Sequence, residues 1–540
     1  MSKLSLWKTI LLLCVFCAAG AIGSPADTFK TLLSFNGTNG AEPATVLVQG
    51  TDGNFYGMTG AGGANNAGTV FKITPTGTLT TLYDFCSQPN CTDGANCPFT
   101  GGLVQATDGN FYGITALGGA NANCNGGNQS CGTVFKINPT TRALTTLHSF
   151  DGTDGSFPNG LVQATDGNFY GTAQEGGANG GGTVFKITPG GTLTTLYNFC
   201  SQTSCTDGSG PMDALIQAID GNFYGTTWEG TVFKITPAGK LTTLATVGGY
   251  PSRALVQATD GNFYGTTARG GTIFKMTPEG KLTTLGSTCC YLYAGLVQAT
   301  DGNSYGTTYL DGGAYGEGSV YEITQRGTLT TLYSFCAETG CPDGAAPIAG
   351  LVQGTDGTLY GTTLGGGASG DGTIFSLSVG LGPFVETLPT SGKVGAAVKI
   401  LGNNLKGSTS ITFNGTPATV FTVNSTGTAI TTTVPSGATT GKVKVTTPKG
   451  MLTSNVKFRV TPTISSFSPA SGPVGTSVVI TGESFTGATS VTFGGVKATS
   501  FTVDSYNQIT ATVPTGAKTG KTGVATPGGT ATSTGTFTVT

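Results

Sequence analysis

Leu161-Val-Gln-Ala-Thr-Asp166-Gly167-Asn-Phe-Tyr170-Gly171 is one of seven copies of a single phrase, which begin at Leu47, Leu103, Leu161, Leu215, Leu255, Leu296 and Leu351. A second phrase follows each copy. In the first unit it runs Gly68-Thr-Val-Phe-Lys-Ile-Thr-Pro75-Thr-Gly77-Thr-Leu-Thr-Thr-Leu-Tyr83. The pair divides into four strands. Leu-Val-Gln-Ala is strand A, and Asp-Gly after it fits a two-residue hairpin turn with positive φ. Phe-Tyr-Gly-Thr-Thr is strand B, Thr-Val-Phe-Lys-Ile is strand C, and Pro-x-Gly turns the chain into strand D, Leu-Thr-Thr-Leu-Tyr. Four-stranded units repeated seven times predict the blades of a β-propeller. Blades are covered on both faces, which explains strands that are apolar on both sides, as at Val70, Phe71 and Ile73.

Closure gives a second, independent sign. The seventh unit has strands A to C (Leu351, Leu359-Tyr360, Thr373 to Leu377) but no strand D. Phe29-Lys-Thr-Leu-Leu-Ser-Phe35, near the N-terminus, matches strand D and is expected to complete that blade and shut the ring.

The remaining composition agrees. Of 540 residues, 90 are Gly and only 10% are charged, a mix that disfavours helices and suits short strands with tight turns. The formal net charge of −2 provides no basic field, so no nucleic-acid partner is expected. Lys3 and Lys8 precede an apolar stretch, Ile10 to Ile22, that is short for a bilayer span and fits a secretory signal peptide over 1–23. No membrane span is expected beyond it. The expected location is extracellular or in the cell envelope of a bacterium. Cys14 and Cys17 leave with the signal, and the other eleven of the 13 cysteines are expected to form mainly disulfides. Cys86/Cys91, Cys200/Cys205 and Cys336/Cys341 share a Cys-x4-Cys spacing, and Cys124 and Cys131 fall in one B–C loop. Partners for Cys97, Cys289 and Cys290 stay open.

The two phrases together resemble the GloVer tandem repeats of exported bacterial proteins over about residues 28–380, a likeness that implies export and a propeller-like fold and brings no activity with it. From Pro383 the composition shifts. Leu388-Pro-Thr-Ser-Gly392-Lys-Val-Gly395 aligns with Ser468-Pro-Ala-Ser-Gly472-Pro-Val-Gly475, and Phe413-Asn-Gly415 with Phe493-Gly-Gly495. Both units resemble IPT/TIG domains, an immunoglobulin-like family. The expected fold is therefore all-β: a seven-bladed propeller over 24–382 followed by two immunoglobulin-like β-sandwiches over 383–461 and 462–540.

Function is expected on the loops. The A–B and C–D turns hardly vary, whereas length variation and every cysteine after the signal fall in the B–C and D–A connections at the opposite end of the blades. Repeat spacing shrinks between Leu215 and Leu296, so a groove is expected over those short loops, near Trp228, Glu229, Tyr250, Arg253 and Arg269. An exposed aromatic ring among polar neighbours suits stacking on a sugar. Packing of Trp228 against its own loop is the competing expectation. Asp93, Asp154, Asp207 and Asp343 of the D–A loops fit turn positions, with cation binding as the alternative. The only histidine, His148, takes the place of Tyr83 in strand D and is expected to be structural. No cofactor and no metal site is expected. A non-catalytic binding protein with an extracellular carbohydrate or protein ligand is the leading expectation. The alternatives are an exported polysaccharide hydrolase or lyase working through carboxylates such as Glu175, Asp213, Glu229, Asp311 and Glu317, or a structural envelope protein.

Overall fold

A computed structural model describes residues 28–97, 101–121, 130–251, 254–288 and 290–540. The expected signal segment, Cys124, Arg253 and Cys289 lie outside these. Seven separate four-stranded antiparallel sheets form the blades. Blade 1 consists of Val48–Gln49, Phe55–Met58, Thr69–Ile73 and Leu79–Asp84. Blades 2 to 6 repeat this order, and blade 7 has Val352–Gln353, Leu359–Thr363 and Thr373–Ser378. Its fourth strand is Thr28–Ser34, antiparallel to Thr373–Ser378, so the N-terminal segment closes the ring as the sequence predicts.

Packing explains the wording of the repeat. In Phe-Tyr-Gly the tyrosine ring crosses to the next blade and stacks on its phenylalanine, for example Tyr56 on Phe111 at 4.0 Å and Tyr112 on Phe169 at 4.1 Å. At the closing junction Tyr360 meets Phe55 at 4.1 Å. The glycine lies under the strand C phenylalanine: a Cβ on Gly57 would stand 2.6 Å from Phe71 Cζ. No larger residue fits without displacing that ring.

The Asp-Gly turn differs from the expected two-residue hairpin. Gly50 donates its N–H to Asn54 O, and Gly53 to Gly50 O. The loop is therefore Thr51-Asp52-Gly53, with only Gly53 at positive φ (83°). A two-residue type I′ turn needs positive φ at both central positions; this is the three-residue form, a turn ended by a left-handed glycine. The aspartate instead faces inward. Asp52 accepts hydrogen bonds from Asn54 and from Tyr56 Oη at 2.8 Å, and the same Asp–Tyr bond recurs in all seven units.

The glutamine of Leu-Val-Gln ties each blade to its neighbour. Gln105 Oε1 accepts Thr51 N–H at 2.9 Å, and the series continues round the ring through Gln163, Gln217, Gln257, Gln298 and Gln353 until Gln49 accepts Thr355 N–H at 2.9 Å. Seven equivalent bonds thus lace the innermost strands into a closed circle, each worth about 0.5–1.5 kcal/mol net.

The tail folds into two units with the same nine-strand pattern, from Val385–Leu388 to Gly450–Val460 and from Thr463–Ser468 to Gly529–Val539. In the second unit the strands form a four-stranded and a five-stranded sheet around Val478, Ile480, Val491, Phe493 and Phe537. In the first a single pairing of Val385 with Ser454 joins the two layers. That first unit is seated on the A–B turns of the propeller. Phe384 N–H donates to Thr355 O at 3.0 Å, Thr428 Oγ1 to Thr51 O at 3.1 Å, and Arg459 to Ala218 O at 3.2 Å. Asn455 and Val456 line a 290 Å³ cavity together with strand A residues Val256, Val297 and Leu351. One face of the propeller therefore carries the sandwich, and the loop face lies at the other end of the blades.

Candidate ligand-binding face

The loop face rests on D–A connections that brace themselves. In the loop after blade 1, Cys86 and Cys91 are joined by a disulfide. Buried Asp93 accepts hydrogen bonds from Tyr83 Oη (2.8 Å), Ser87 N–H (2.9 Å), Ser87 Oγ (3.0 Å) and Gln88 N–H (3.2 Å). The loop after blade 3 repeats the device with Cys200–Cys205 and Asp207, and the loop after blade 6 with Cys336–Cys341 and Asp343. Both carboxylate oxygens of Asp93 and of Asp207 are thus occupied by the loop's own donors, which accounts for these residues without a cation. Burial pushes Asp207 upward, but the hydrogen bonds from Tyr197 and Ser201 outweigh it and hold its carboxyl below the usual range. In the loop after blade 2, His148 Nε2 meets Asp154 Oδ2 at 2.6 Å and so reproduces the Tyr–Asp pair. Cys131 is disulfide-bonded. Cys97 and Cys290 are buried, and Cys290 Sγ donates to Asp311 O at 2.8 Å.

An equivalent backbone bond between a D–A loop and the following B–C loop recurs at six junctions and puts them in a common frame. Gly60 N–H donates to Glu42 O, Ala116 to Asn96, Trp228 to Gly210, Ala268 to Tyr250, Tyr309 to Tyr291 and Leu364 to Ala346. At the junction of blades 2 and 3, strand pairing places Phe157 opposite Gln174. Glu42, Asn96, Phe157, Gly210, Tyr250 and Ala346 all have positive φ, between 52° and 61°. This strained conformation therefore belongs to the loop design and is not peculiar to Tyr250.

In this frame the aromatic residues are unevenly distributed. Junctions 6/7, 7/1 and 1/2 present Ala346 and Leu364, Glu42 and Gly60, and Asn96 and Ala116. The four junctions from 2/3 to 5/6 present Phe157, Trp228, Tyr250, and then both Tyr291 and Tyr309. Trp228 is 47% exposed, so it does not simply fill its loop. Its ring lies 5.0 Å from that of half-buried Tyr250, and the Arg269 guanidinium lies 5.2 Å from the Tyr250 ring centroid. The structure thus unites three of the five residues singled out in the sequence. Glu229 is exposed in the Thr227–Gly230 turn beside Trp228. Arg253 lies outside the described residues.

A second aromatic group was not anticipated. Tyr291 (41% exposed) and Tyr293 (37%) hold their rings parallel within 7°, 6.0 Å apart, and Tyr309 meets Tyr293 edge-on at 5.1 Å. Loop length pointed to blades 4 and 5, whereas comparing equivalent loop positions for aromatic content points one junction further, through Tyr291-Leu-Tyr293. Of the carboxylates considered for catalysis, Asp213 is buried and accepts a bond from Thr226 Oγ1 at 3.3 Å. Glu175 ends strand B of blade 3, and Asp311 and Glu317 belong to the blade 6 B–C loop.

No helix among the described residues is long and apolar enough to cross a membrane. No curated protein matches the chain. Among solved structures it is similar to a streptogramin B lyase (17% identity, 65% of this chain and 98% of that one, TM-score 0.47). It is also similar to the virginiamycin B lyase of Staphylococcus aureus (16%, 65% and 99%, TM-score 0.46). A third similarity is to the extracellular domain of a hybrid two-component system from B. thetaiotaomicron (13%, 93% and 66%, TM-score 0.47). Likeness of this degree transfers no chemistry. The IPT/TIG pattern matches residues 462–539. The first sandwich shares that unit's strand order without matching the pattern itself. The Gloeobacter/Verrucomicrobia repeat pattern matches residues 21–125, 122–289 and 271–457, and the chain belongs to that repeat family.

Proposed function

We propose that this is an exported, non-catalytic binding protein whose loop face takes a carbohydrate ligand by ring stacking. The carrying observation is Trp228, a half-exposed indole at a blade junction, braced by Tyr250 and Arg269. Burying a large aromatic ring against a ligand gives much area for little lost freedom, whereas leaving it in water gives nothing. The opposite face carries the first sandwich, which favours the loop face for a ligand. Three disulfides in these loops support export, because such bonds persist in oxidising compartments.

The test uses the full chain from residue 24, produced in an oxidising compartment and mixed with insoluble cellulose, chitin, xylan and mannan. Retention and released sugar are measured together. The expected result is retention without released sugar, lost in Trp228→Ala. Released sugar would contradict a purely binding role and turn attention to the loop carboxylates. Absence of both would leave a protein partner or a structural role.

A further inference from the structure

We infer that Tyr291, Tyr293 and Tyr309 form a second stacking subsite, so that the ligand is an extended, neutral β-linked polysaccharide chain rather than a single sugar. This rests on the carbohydrate-binding reading of Trp228 and extends it.

The first support is position. Trp228 stands at the junction of blades 3 and 4, Tyr250 at 4/5 and Tyr291 with Tyr309 at 5/6, all placed by the same backbone bond. Aromatic groups at successive junctions follow the ring as a row, and only a chain of several sugars can use more than one of them. The second is ring geometry. Tyr291 and Tyr293 stay substantially exposed even though their rings stack on one another. They are held parallel, and Tyr309 braces one of them edge-on. Parallel, preorganised rings suit flat faces. Pyranoses with equatorial hydroxyls present such faces of C–H bonds, and β-1,4 linkage keeps successive faces extended along a line. The third is charge. Among the described residues Arg269 and Glu229, charged neighbours at the Trp228 end, carry opposite signs, and the whole chain has a net charge of only −2. The row complements a neutral ligand and offers no field for a polyanion.

The loop on which these rings stand is itself anchored. Leu292, between the two tyrosines, is fully buried, and Thr266 Oγ1 donates to Ala294 O at 2.9 Å. The tyrosines therefore stand on a fixed support, so little ordering is needed on binding.

The experiment is calorimetric titration of the full chain from residue 24 with cellobiose, cellotetraose and cellohexaose. Affinity is expected to rise with length. Tyr291→Ala/Tyr293→Ala is expected to weaken cellohexaose by about tenfold, the value of one or two lost ring contacts, and to leave cellobiose unchanged. Tyr291→Phe/Tyr293→Phe keeps the rings and restores the length dependence, which separates stacking from any loss of fold. Trp228→Ala is expected to weaken all three sugars. If Trp228→Ala weakens binding while the tyrosine variant leaves cellohexaose untouched, the second subsite is wrong and the first stands. If none of the sugars binds the unmodified chain, the ligand class is wrong, and sugar binding unaffected by Trp228→Ala would overturn the role of Trp228 on which the subsite rests.

Discussion

Asp207→Ala should loosen the stapled loop above blades 3 and 4 more than its surface position suggests. The carboxylate has no exposed area, yet it accepts four hydrogen bonds, from Tyr197 Oη (2.8 Å), Ser201 N–H (2.9 Å), Ser201 Oγ (2.9 Å) and Gln202 N–H (3.3 Å). Breaking a fully buried charged network costs about 3–5 kcal/mol, and one neutral bond about 1 kcal/mol. Here Ser201 and Gln202 lie at the exposed rim, so water replaces part of what is lost. An intermediate cost of about 2–3 kcal/mol follows. Asp207→Asn keeps one acceptor oxygen and should recover roughly half of that. Urea unfolding with the disulfides intact gives the stability change, and amide exchange at Ser201 and Gln202 detects local fraying if the loop opens before the whole propeller. Calcium should stabilise neither protein. An unchanged midpoint together with unchanged exchange at both amides would refute the role assigned to Asp207; stabilisation by calcium that disappears in the variant would restore the cation alternative.

Tyr321 replaces the strand C phenylalanine in blade 6, and its buried hydroxyl has no hydrogen-bond partner among the described residues. Tyr321→Phe should therefore raise stability by about 1 kcal/mol, measured as a higher urea midpoint; a loss would show that the hydroxyl is satisfied. Gln353 is buried and gives Thr300 both an acceptor and a donor at 3.0 Å. Gln353→Ala should cost about 1–3 kcal/mol, more than the same change at the half-buried Gln163, where water can substitute; equal costs would contradict a distinct buried role. For Asp260, burial pushes the carboxyl up, but hydrogen bonds from Lys275, Asn262 and Tyr264 outweigh it and hold it at about 2. Because the folded value lies below the unfolded one, this stabilisation is fully present above about pH 4 and is lost as pH falls toward 2. Carbon-detected titration of Asp260 should show the low value, and Lys275→Met should raise it; an Asp260 that titrates normally in both would refute the pairing.

The blades were legible because each is a local sentence: strand lengths, turn residues and the missing seventh strand D are all written in contiguous residues. The glutamine circle was not, because each bond joins strands dozens of residues apart or more and the repeat alone does not say which way a glutamine points. The Asp-Gly turn misled for a related reason. The same dipeptide serves two hairpin geometries, and the inward bond from Tyr56 Oη to the Asp52 carboxylate accompanies the longer one. At the loop face, cysteine spacing identified Cys86–Cys91, Cys200–Cys205 and Cys336–Cys341, and the one tryptophan beyond the expected signal segment, together with the short loops, led to Trp228, Tyr250 and Arg269. Tyr291, Tyr293 and Tyr309 were missed because loops of different lengths hide which positions are equivalent until backbone bonds align them.

The central claim is that the aromatic row binds ligand, and Trp228 itself can report it. The chain has two tryptophans, Trp7 and Trp228, so protein starting at residue 24 has Trp228 alone. Its emission should be measured during titration with a soluble neutral β-glucan. A saturable blue shift or quench with the same midpoint as calorimetric binding is the predicted result. Binding that saturates by calorimetry while the emission of Trp228 stays constant would contradict the claim and place the ligand elsewhere.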